Sequence, residues 1–236
     1  MTQSLLARSA GPVAIVAGVL VVATRGVIML TTPADIDSLK VYVLSTTHAI
    51  NGVASIVAFA MLVFALVASY DLQARAAGVL GVIGLGAAIL GTVFMTGDWW
   101  YEAFAVPRLA EVAPGVMDTF ASSRLLLGGL TSFALFGIGW VLYGIASVRA
   151  RVFPAAISWA IVAGGLLSGV PTGLVYLPAS VILGLAFIAL GVWWLRSDRS
   201  AAAELRPEEK DARSHRALAF EQLLPELERV AARLGG

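Results

Sequence analysis

Six long apolar runs constrain the fold of this chain more than any other feature of its sequence. The runs contain few charged residues and lie near residues 11–30, 42–69, 78–97, 125–147, 154–170 and 176–195. About 20 consecutive apolar residues are needed to cross a bilayer core that is about 30 Å thick. The sequence therefore predicts an all-α, polytopic integral membrane protein, with six transmembrane helices in one bundle.

The composition supports a single membrane domain followed by a polar tail. Of the 236 residues, 59% are hydrophobic and 13% are charged, whereas roughly a quarter of the residues of a soluble domain are charged. We expect residues 1–196 to form the transmembrane domain and residues 197–236 to form a cytoplasmic tail. Within the tail, one helical face carries Leu223, Leu227, Val230 and Leu234, which predicts a short amphipathic helix.

Several classes of function lack the residues that they require. The net charge of +1 and the absence of a basic stripe argue against a nucleic-acid partner. No cysteine is present, so disulfides and thiolate metal sites are excluded. Lys40 and Lys210 both lie outside the spans, which excludes a retinal Schiff base. The two histidines, His48 and His215, cannot supply a bis-histidine haem or an HExxH metal site. We therefore predict no cofactor and no metal.

The charges of the short connections predict the orientation of the chain. Arg8, Arg75, Arg149, Arg151 and Arg196 fall on one side of the proposed spans, and acidic residues are in surplus on the other. The positive-inside rule then places both termini in the cytoplasm. We expect a multi-pass protein of the cell membrane, with the long connection 98–124 on the outer side.

The outer connection carries the most varied chemistry in the chain. It begins with an aromatic group, Trp99, Trp100 and Tyr101, which is typical of a membrane interface. The same group, with Phe104, suggests an interfacial helix that lies over a cavity as a lid, and Pro107 is expected to end that helix.

The third apolar run is rich in small residues. Gly78, Gly81, Gly84, Ala88 and Gly91 recur at three- and four-residue spacings. Small residues let helix backbones approach closely in lipid. This run is therefore expected to pack tightly against a neighbouring helix.

Polar residues of several spans are predicted to meet near the outer side of the bundle. Ionisable residues in a membrane normally face the bundle interior, pair with one another or line a wet cavity. We expect Arg25 to pair with Asp98 or Glu102, and His48 to lie beside Asn51. The full set of candidate ligand-binding residues is Arg25, His48, Asn51, Asp98, Trp99, Glu102, Arg124 and Tyr176.

Each of these residues also has a structural interpretation. Asp98 and Glu102 are candidate catalytic acids, but acids at this depth are also common as interfacial or capping residues. Arg25 can extend its guanidinium outward to the interface, and His48 can be a buried histidine that is satisfied by its neighbours. No catalytic residue is assigned.

Three short motifs resemble a known group of proteins. The segment EAFAVPRLAEVAP from Glu102, the stretch HAINGVASI from His48 and the connection RARVFP from Arg149 are similar to segments of uncharacterised small bacterial six-span integral membrane proteins. In those proteins an outer loop with an EAF…P.LA pattern separates the middle spans. The resemblance implies the same fold and implies no activity.

Four functions are compatible with the sequence. The first is a non-enzymatic membrane protein that binds lipid or an amphipathic small molecule in an outer-leaflet polar cavity. The second is an accessory subunit that packs against a membrane-protein partner. The third is an enzyme that uses Asp98 or Glu102 as a proton donor, as in an integral-membrane isoprenoid cyclase. The fourth is a small transporter built from two sets of three spans.

Overall fold

The chain is helical throughout the part that the structure describes. This structure, a computed structural model, describes residues 5–33, 35–115 and 124–203, and within those ranges no strand is present. Its helices are α1 (Leu5–Thr31), α2 (Ile36–Val43), α3 (Thr46–Trp100), a π-helical turn (Tyr101–Ala105), α4 (Val106–Val112), α5 (Arg124–Ala150), α6 (Ala155–Ser168) and α7 (Gly173–Ala203).

Four helical stretches are long and apolar enough to cross a membrane. They are Ser9–Thr31, Thr46–Val112, Leu126–Ala150 and Gly173–Ser197. The prediction of an all-α protein with membrane-type helices is therefore confirmed. Helix α6 is apolar but has 14 residues, and at 1.5 Å per residue it is about 21 Å long.

Helix α3 reverses direction at Gly78. This residue has φ 56° and ψ −150°, a conformation inside the helix that is not helical and is almost restricted to glycine. A Cβ at Gly81 would lie 3.1 Å from the ring of Tyr70, although 11 residues of straight helix would separate them by about 16 Å. Likewise, His48 contacts Glu102. The two halves of α3 therefore form an antiparallel hairpin with its turn at Gly78.

The second half of α3 packs closely against α5, as the small residues predict. A Cβ at Gly91 would overlap the carbonyl oxygen of Leu135, and a Cβ at Gly139 would overlap that of Ala87. These contacts between backbones are possible only because no side chain intervenes. Gly78 does not take part, since nothing lies within 4 Å of its missing Cβ.

Similar glycine contacts join the other helices into one bundle. Gly18 of α1 meets the backbone of Gly184 in α7, and Gly164 of α6 meets Leu183 of α7. Gly137 of α5 meets Gly169 at the end of α6. Large aromatic side chains fill the centre, and those with almost no exposure include Phe59, Phe136, Trp140, Tyr143 and Phe187.

Several predicted boundaries are wrong. The predicted loop 31–40 contains most of α2, and the predicted connection 70–77 belongs to the helix that begins at Thr46. The helix of the second apolar run begins at Thr46, four residues later than predicted. Ser45 caps this helix by accepting a hydrogen bond of 3.1 Å from the His48 amide. Helix α7 extends to Ala203, into the predicted polar tail.

The largest correction concerns the outer connection. Residues 98–112 belong to the predicted outer connection, in which an interfacial helix ending at Pro107 was expected, and they continue α3 as helix through the π-helical turn and α4. No glycine occurs from Asp98 to Val112, and the helix accommodates Pro107 through the π-helical turn that precedes it. The predicted amphipathic helix of the tail lies outside the described residues.

The chain divides into two compact units, Met1–Trp194 and Leu195–Gly236. The first contains all of the helices up to α6 and most of α7. Of the second, the structure describes residues 195–203, which are helical.

Candidate functional site

Arg25 is enclosed by aromatic rings and hydroxyl groups in the interior of the bundle. Its side chain is completely buried, and its guanidinium carbon lies 4.0 Å from the ring centre of Trp99 and 5.4 Å from that of Phe59. Nη1 donates a hydrogen bond of 3.0 Å to the hydroxyl of Tyr176, and Nη2 donates to the hydroxyl of Ser55. The positive charge therefore meets the negative faces of aromatic rings and neutral acceptors.

The predicted pairing of Arg25 with an acid is wrong. Within the described part of the chain, Arg25 forms no ion pair with Asp98 or Glu102, whereas Arg108 pairs with Glu111 on the surface. The Nε atom of Arg25 is buried without a hydrogen-bond partner. Arg25 faces the ring of Trp99. The depth of a residue along its span, which the sequence indicates, does not show whether Arg25 meets Asp98 or the neighbouring Trp99.

The π-helical turn is explained by Pro107. Proline has no N–H group, and its ring clashes with the carbonyl four residues earlier in an α-helix. In the structure the Val106 N–H bonds to the carbonyl of Tyr101, five residues back, so the helix widens by one residue before Pro107. Pro107 was predicted to end the helix. Instead it stands in the first turn of α4, where a missing N–H is tolerated.

This local geometry leaves the carbonyl of Glu102 without a helical partner. Its donor in the π-helical register would be residue 107, which is proline, and the Val106 N–H is already used by Tyr101. Nε2 of His48 lies 2.9 Å from that carbonyl oxygen. Since a carbonyl can only accept, Nε2 must carry the hydrogen. His48 therefore stabilises the π-helical turn.

Asn51 lies buried on the same helix and is not in the wall of the cavity described below. Its backbone carbonyl accepts a hydrogen bond of 2.8 Å from Ser55, the residue that also contacts Arg25. His48, Asn51 and Ser55 therefore follow one another at intervals of about one turn on α3. His48 contacts the Glu102 carbonyl, and Ser55 contacts the guanidinium of Arg25.

A cavity of about 830 Å³ adjoins these residues. It is bounded by the end of α1, by residues 93–102 of α3 and the π-helical turn, by residues 124–133 of α5, and by residues 171–177 at the start of α7. Most of the wall is apolar. Phe94 and Arg124 in the wall are exposed, so the cavity opens to the surface of the bundle.

The cavity brings together five of the eight predicted site residues. Asp98, Trp99, Glu102, Arg124 and Tyr176 all line it, whereas Arg25, His48 and Asn51 do not. A carboxylate oxygen of Asp98 lies 4.0 Å from the Cβ position of Gly129 on the opposite wall. Asp98 and Glu102 lie four residues apart on continuous helix, and both line the cavity.

The two groups of predicted residues are connected through aromatic side chains. Trp99 and Tyr176 line the cavity on one side and contact the guanidinium of Arg25 on the other. The indole N–H of Trp99 also donates to the hydroxyl of Tyr176 at 3.4 Å. Arg25 therefore supports two residues of the cavity wall.

The charges in the cavity wall are two acids and one base. Neither Asp98 nor Glu102 forms an ion pair with Arg124 in the described chain. Among the residues that the structure describes, no group of three or more His, Asp or Glu side chains could hold a metal ion. The arrangement can accept hydrogen bonds and attract positive charge at one end of a largely apolar space.

A second buried polar cluster was not predicted. Ser69 and the Tyr143 hydroxyl lie 2.7 Å apart, and Gln73 Nε2 donates to Ser147 at 2.9 Å. The signal was present: each helix carries a polar pair spaced four residues apart, which shares one face. Gln73 was assigned to a connection, because the preceding run ends in sequence at Ser69. This cluster joins α3 to α5 and lies outside the cavity wall.

Comparisons with protein-family models, with curated proteins and with solved structures gave no match.

Proposed function

We propose that this protein binds a lipid or another amphipathic small molecule in the cavity between α1, α3, α5 and α7. The observation that carries the proposal is the composition of this cavity wall. Asp98, Glu102 and Arg124 supply charge, and most of the remaining wall is apolar. An amphipathic molecule has the same division between a polar head and an apolar body.

The size and position of the cavity support this proposal. Cavities that hold small molecules usually measure about 300–1,000 Å³ and combine apolar walls with a few polar groups. The volume here, about 830 Å³, falls in that range. Phe94 and Leu130 line the cavity and are also exposed, so an apolar chain has a route from the surrounding lipid.

The proposal includes a topology of six membrane crossings with both termini in the cytoplasm. The reversal at Gly78 supports two crossings within the stretch Thr46–Val112. Helices α1, α5, α6 and α7 supply the other four. Helix α6 is short for a bilayer core of about 30 Å. A local thinning of the bilayer or the apolar residues that flank α6 would compensate for its length.

The test is to fill the cavity and measure the lipid that stays bound. A Cβ at Gly129 meets only the Asp98 carboxylate, at 4.0 Å, so Gly129→Leu extends an apolar side chain into the space without a backbone clash. Gly86→Leu is the matched control. Gly86 is exposed on α3 outside the cavity wall, and nothing lies within 4 Å of its Cβ position.

We expect the wild type and Gly86→Leu to retain a stoichiometric lipid through purification in detergent, as measured by mass spectrometry of the intact protein. Gly129→Leu is expected to retain several-fold less. Equal retention by all three proteins would exclude this cavity as the binding site. The accessory-subunit alternative would then be tested by cross-linking in membranes, where it requires a second protein in the product.

A further inference from the structure

We infer that the ligand of this cavity is an amphiphile whose headgroup carries an ammonium group. This inference rests on the proposed function, because it assigns the headgroup chemistry of a molecule bound in the same cavity. Its basis is the presence of two carboxylates and several aromatic rings in the lining of an otherwise apolar cavity.

The carboxylates have no cation to neutralise them in the described structure. Asp98 and Glu102 share one wall, and neither pairs with Arg25 or Arg124. The two negative charges repel each other, and each carboxylate is costly to remove from water without a partner. A bound ammonium group placed between the two carboxylates removes both penalties and forms charge-assisted hydrogen bonds.

Aromatic rings line the same cavity. Trp99, Tyr101, Phe133 and Tyr176 all belong to the wall, and the rings of Phe133 and Tyr176 meet edge to face at 4.9 Å. Aromatic faces attract cations, and the combination of such rings with acids is a common way to bind an amine. An anionic headgroup would meet the negative faces of these rings and two carboxylates.

The basic residues near the cavity do not reverse this preference. Arg25 lies behind Trp99 and Tyr176, where its charge is already in contact with their rings and with hydroxyl groups. Arg124 is the one described base in the wall, and it is exposed. Its guanidinium is placed to meet the phosphate of a zwitterionic headgroup whose amine lies near Asp98 and Glu102.

The experiment compares two lipids that differ only in the headgroup. Purified protein is given an equimolar mixture of phosphatidylethanolamine and phosphatidylglycerol with identical acyl chains, and the bound lipid is quantified by mass spectrometry. We expect the wild type to prefer phosphatidylethanolamine by about tenfold, the effect of one charge-assisted contact. The isosteric variants Asp98→Asn and Glu102→Gln are expected to reduce this ratio several-fold.

Glu111→Gln is the control for the change in charge. Glu111 is exposed on α4 and pairs with Arg108 outside the cavity, so the lipid preference should remain that of the wild type. Glycerophosphoethanolamine, which has the same headgroup without acyl chains, is added as a competitor. It is expected to compete weakly, since the apolar wall supplies much of the contact.

The outcomes separate the two proposals. Loss of all lipid in Gly129→Leu, together with an unchanged headgroup ratio in Asp98→Asn and Glu102→Gln, would overturn the ammonium inference and leave the proposed function standing. A preference of the wild type for phosphatidylglycerol would also overturn it. Competition by glycerophosphoethanolamine equal to that of the whole lipid would show a free amine to be the ligand, which contradicts the amphiphile. Retention of lipid by Gly129→Leu would reject the proposed function itself.

Discussion

Arg25 is a buried cation that the protein accommodates without an acidic partner. The charge contacts three aromatic rings, at distances from 4.0 to 5.9 Å between the guanidinium carbon and the ring centres. Each such contact contributes up to about 2 kcal/mol in a site without water. The hydroxyls of Tyr176 and Ser55 accept two of the guanidinium hydrogens. The burial of the Arg25 guanidinium therefore depends on these rings and hydroxyl groups.

This dependence predicts that substitutions of Tyr176 and Arg25 have non-additive effects on the free energy of unfolding. Tyr176→Phe removes an acceptor from Arg25 and from Trp99, and a buried donor left without a partner costs about 1–3 kcal/mol. Arg25→Leu removes the charge, and replacing an unpaired buried charge by an apolar side chain is often tolerated. We expect Tyr176→Phe to destabilise the wild type by about 1–3 kcal/mol and to cost less than half as much in the Arg25→Leu background.

The measurement is a double-mutant cycle of reversible unfolding in detergent. It isolates the coupling of the two residues from their separate effects. Strictly additive costs for the two substitutions would contradict the role assigned to Tyr176. The indole N–H of Trp99 supplies an independent readout, because its hydrogen bond to Tyr176 is lost in both variants that carry phenylalanine.

At the scale of elements, the wall of the cavity depends on a helix that changes its register. The π-helical turn Tyr101–Ala105 contains Glu102 and directly follows the helical segment that carries Asp98 and Trp99, and all three residues line the cavity. Pro107 makes the turn favourable by lacking an N–H group, and His48 satisfies the carbonyl that is left over. His48, on the first half of the hairpin, thus stabilises the π-helical turn that follows the second half.

The same reasoning predicts that Pro107→Ala rescues a substitution of His48. His48→Phe keeps a planar ring but leaves the carbonyl of Glu102 without a donor, at a cost of about 1–3 kcal/mol. Alanine at position 107 restores an N–H group, which can bond to the helical carbonyls. We expect unfolding experiments to show a smaller cost of His48→Phe in the Pro107→Ala background.

A control for general loosening of the helix is His48→Phe combined with Gly86→Ala. Gly86 is exposed and contacts nothing, so the cost of His48→Phe should be the same with and without the second change. If Pro107→Ala and Gly86→Ala alter that cost equally, the carbonyl of Glu102 is not the link between His48 and Pro107.

The whole molecule separates a polar end from an apolar body. Arg25, Asp98, Glu102 and Arg124 gather at one end of the bundle, while residues that cover the outside of the helices, such as Phe64, are large and apolar. In a membrane this surface faces lipid, and the polar end lies towards one leaflet. Arg75 lies next to the reversal of α3 at Gly78, and Arg149 lies at the end of α5 that is far from Arg124.

The absence of cysteine from the chain allows the proposed topology to be tested with single substitutions. Ala76 and Ala155 are exposed near the proposed cytoplasmic turns, and Val112 is exposed at the end of α4. We expect a membrane-impermeant maleimide added to intact cells to label Val112→Cys and to leave Ala76→Cys and Ala155→Cys unlabelled. Labelling of the last two should appear after the cells are broken open.

An inverted pattern would reverse the orientation, and labelling of Ala76→Cys and Val112→Cys from the same side would contradict the hairpin at Gly78 as a pair of crossings. Neither result would depend on the identity of the ligand. The measurement is therefore independent of the lipid-binding experiments.

The sequence by itself determined the class of fold and the part of the chain that carries the site. Long apolar runs leave few alternatives to helices, and the small residues Gly84, Ala88 and Gly91 define a face for close packing. The varied chemistry of the outer connection indicated Asp98, Trp99 and Glu102 as candidate site residues, and all three line the cavity. These features follow from local periodicity, which a sequence displays directly.

Tertiary structure alone decided how the polar groups are partnered. Arg25 and Asp98 were assigned similar depths, but the aromatic ring of Trp99 occupies the position next to the guanidinium, and rotation about the helix axis is not encoded in depth. The contact of His48 with the Glu102 carbonyl depends on an unsatisfied backbone group that arises only when Pro107 forces a π-helical turn. The reversal at Gly78 likewise rests on a backbone conformation that glycine permits and that packing of the two halves selects.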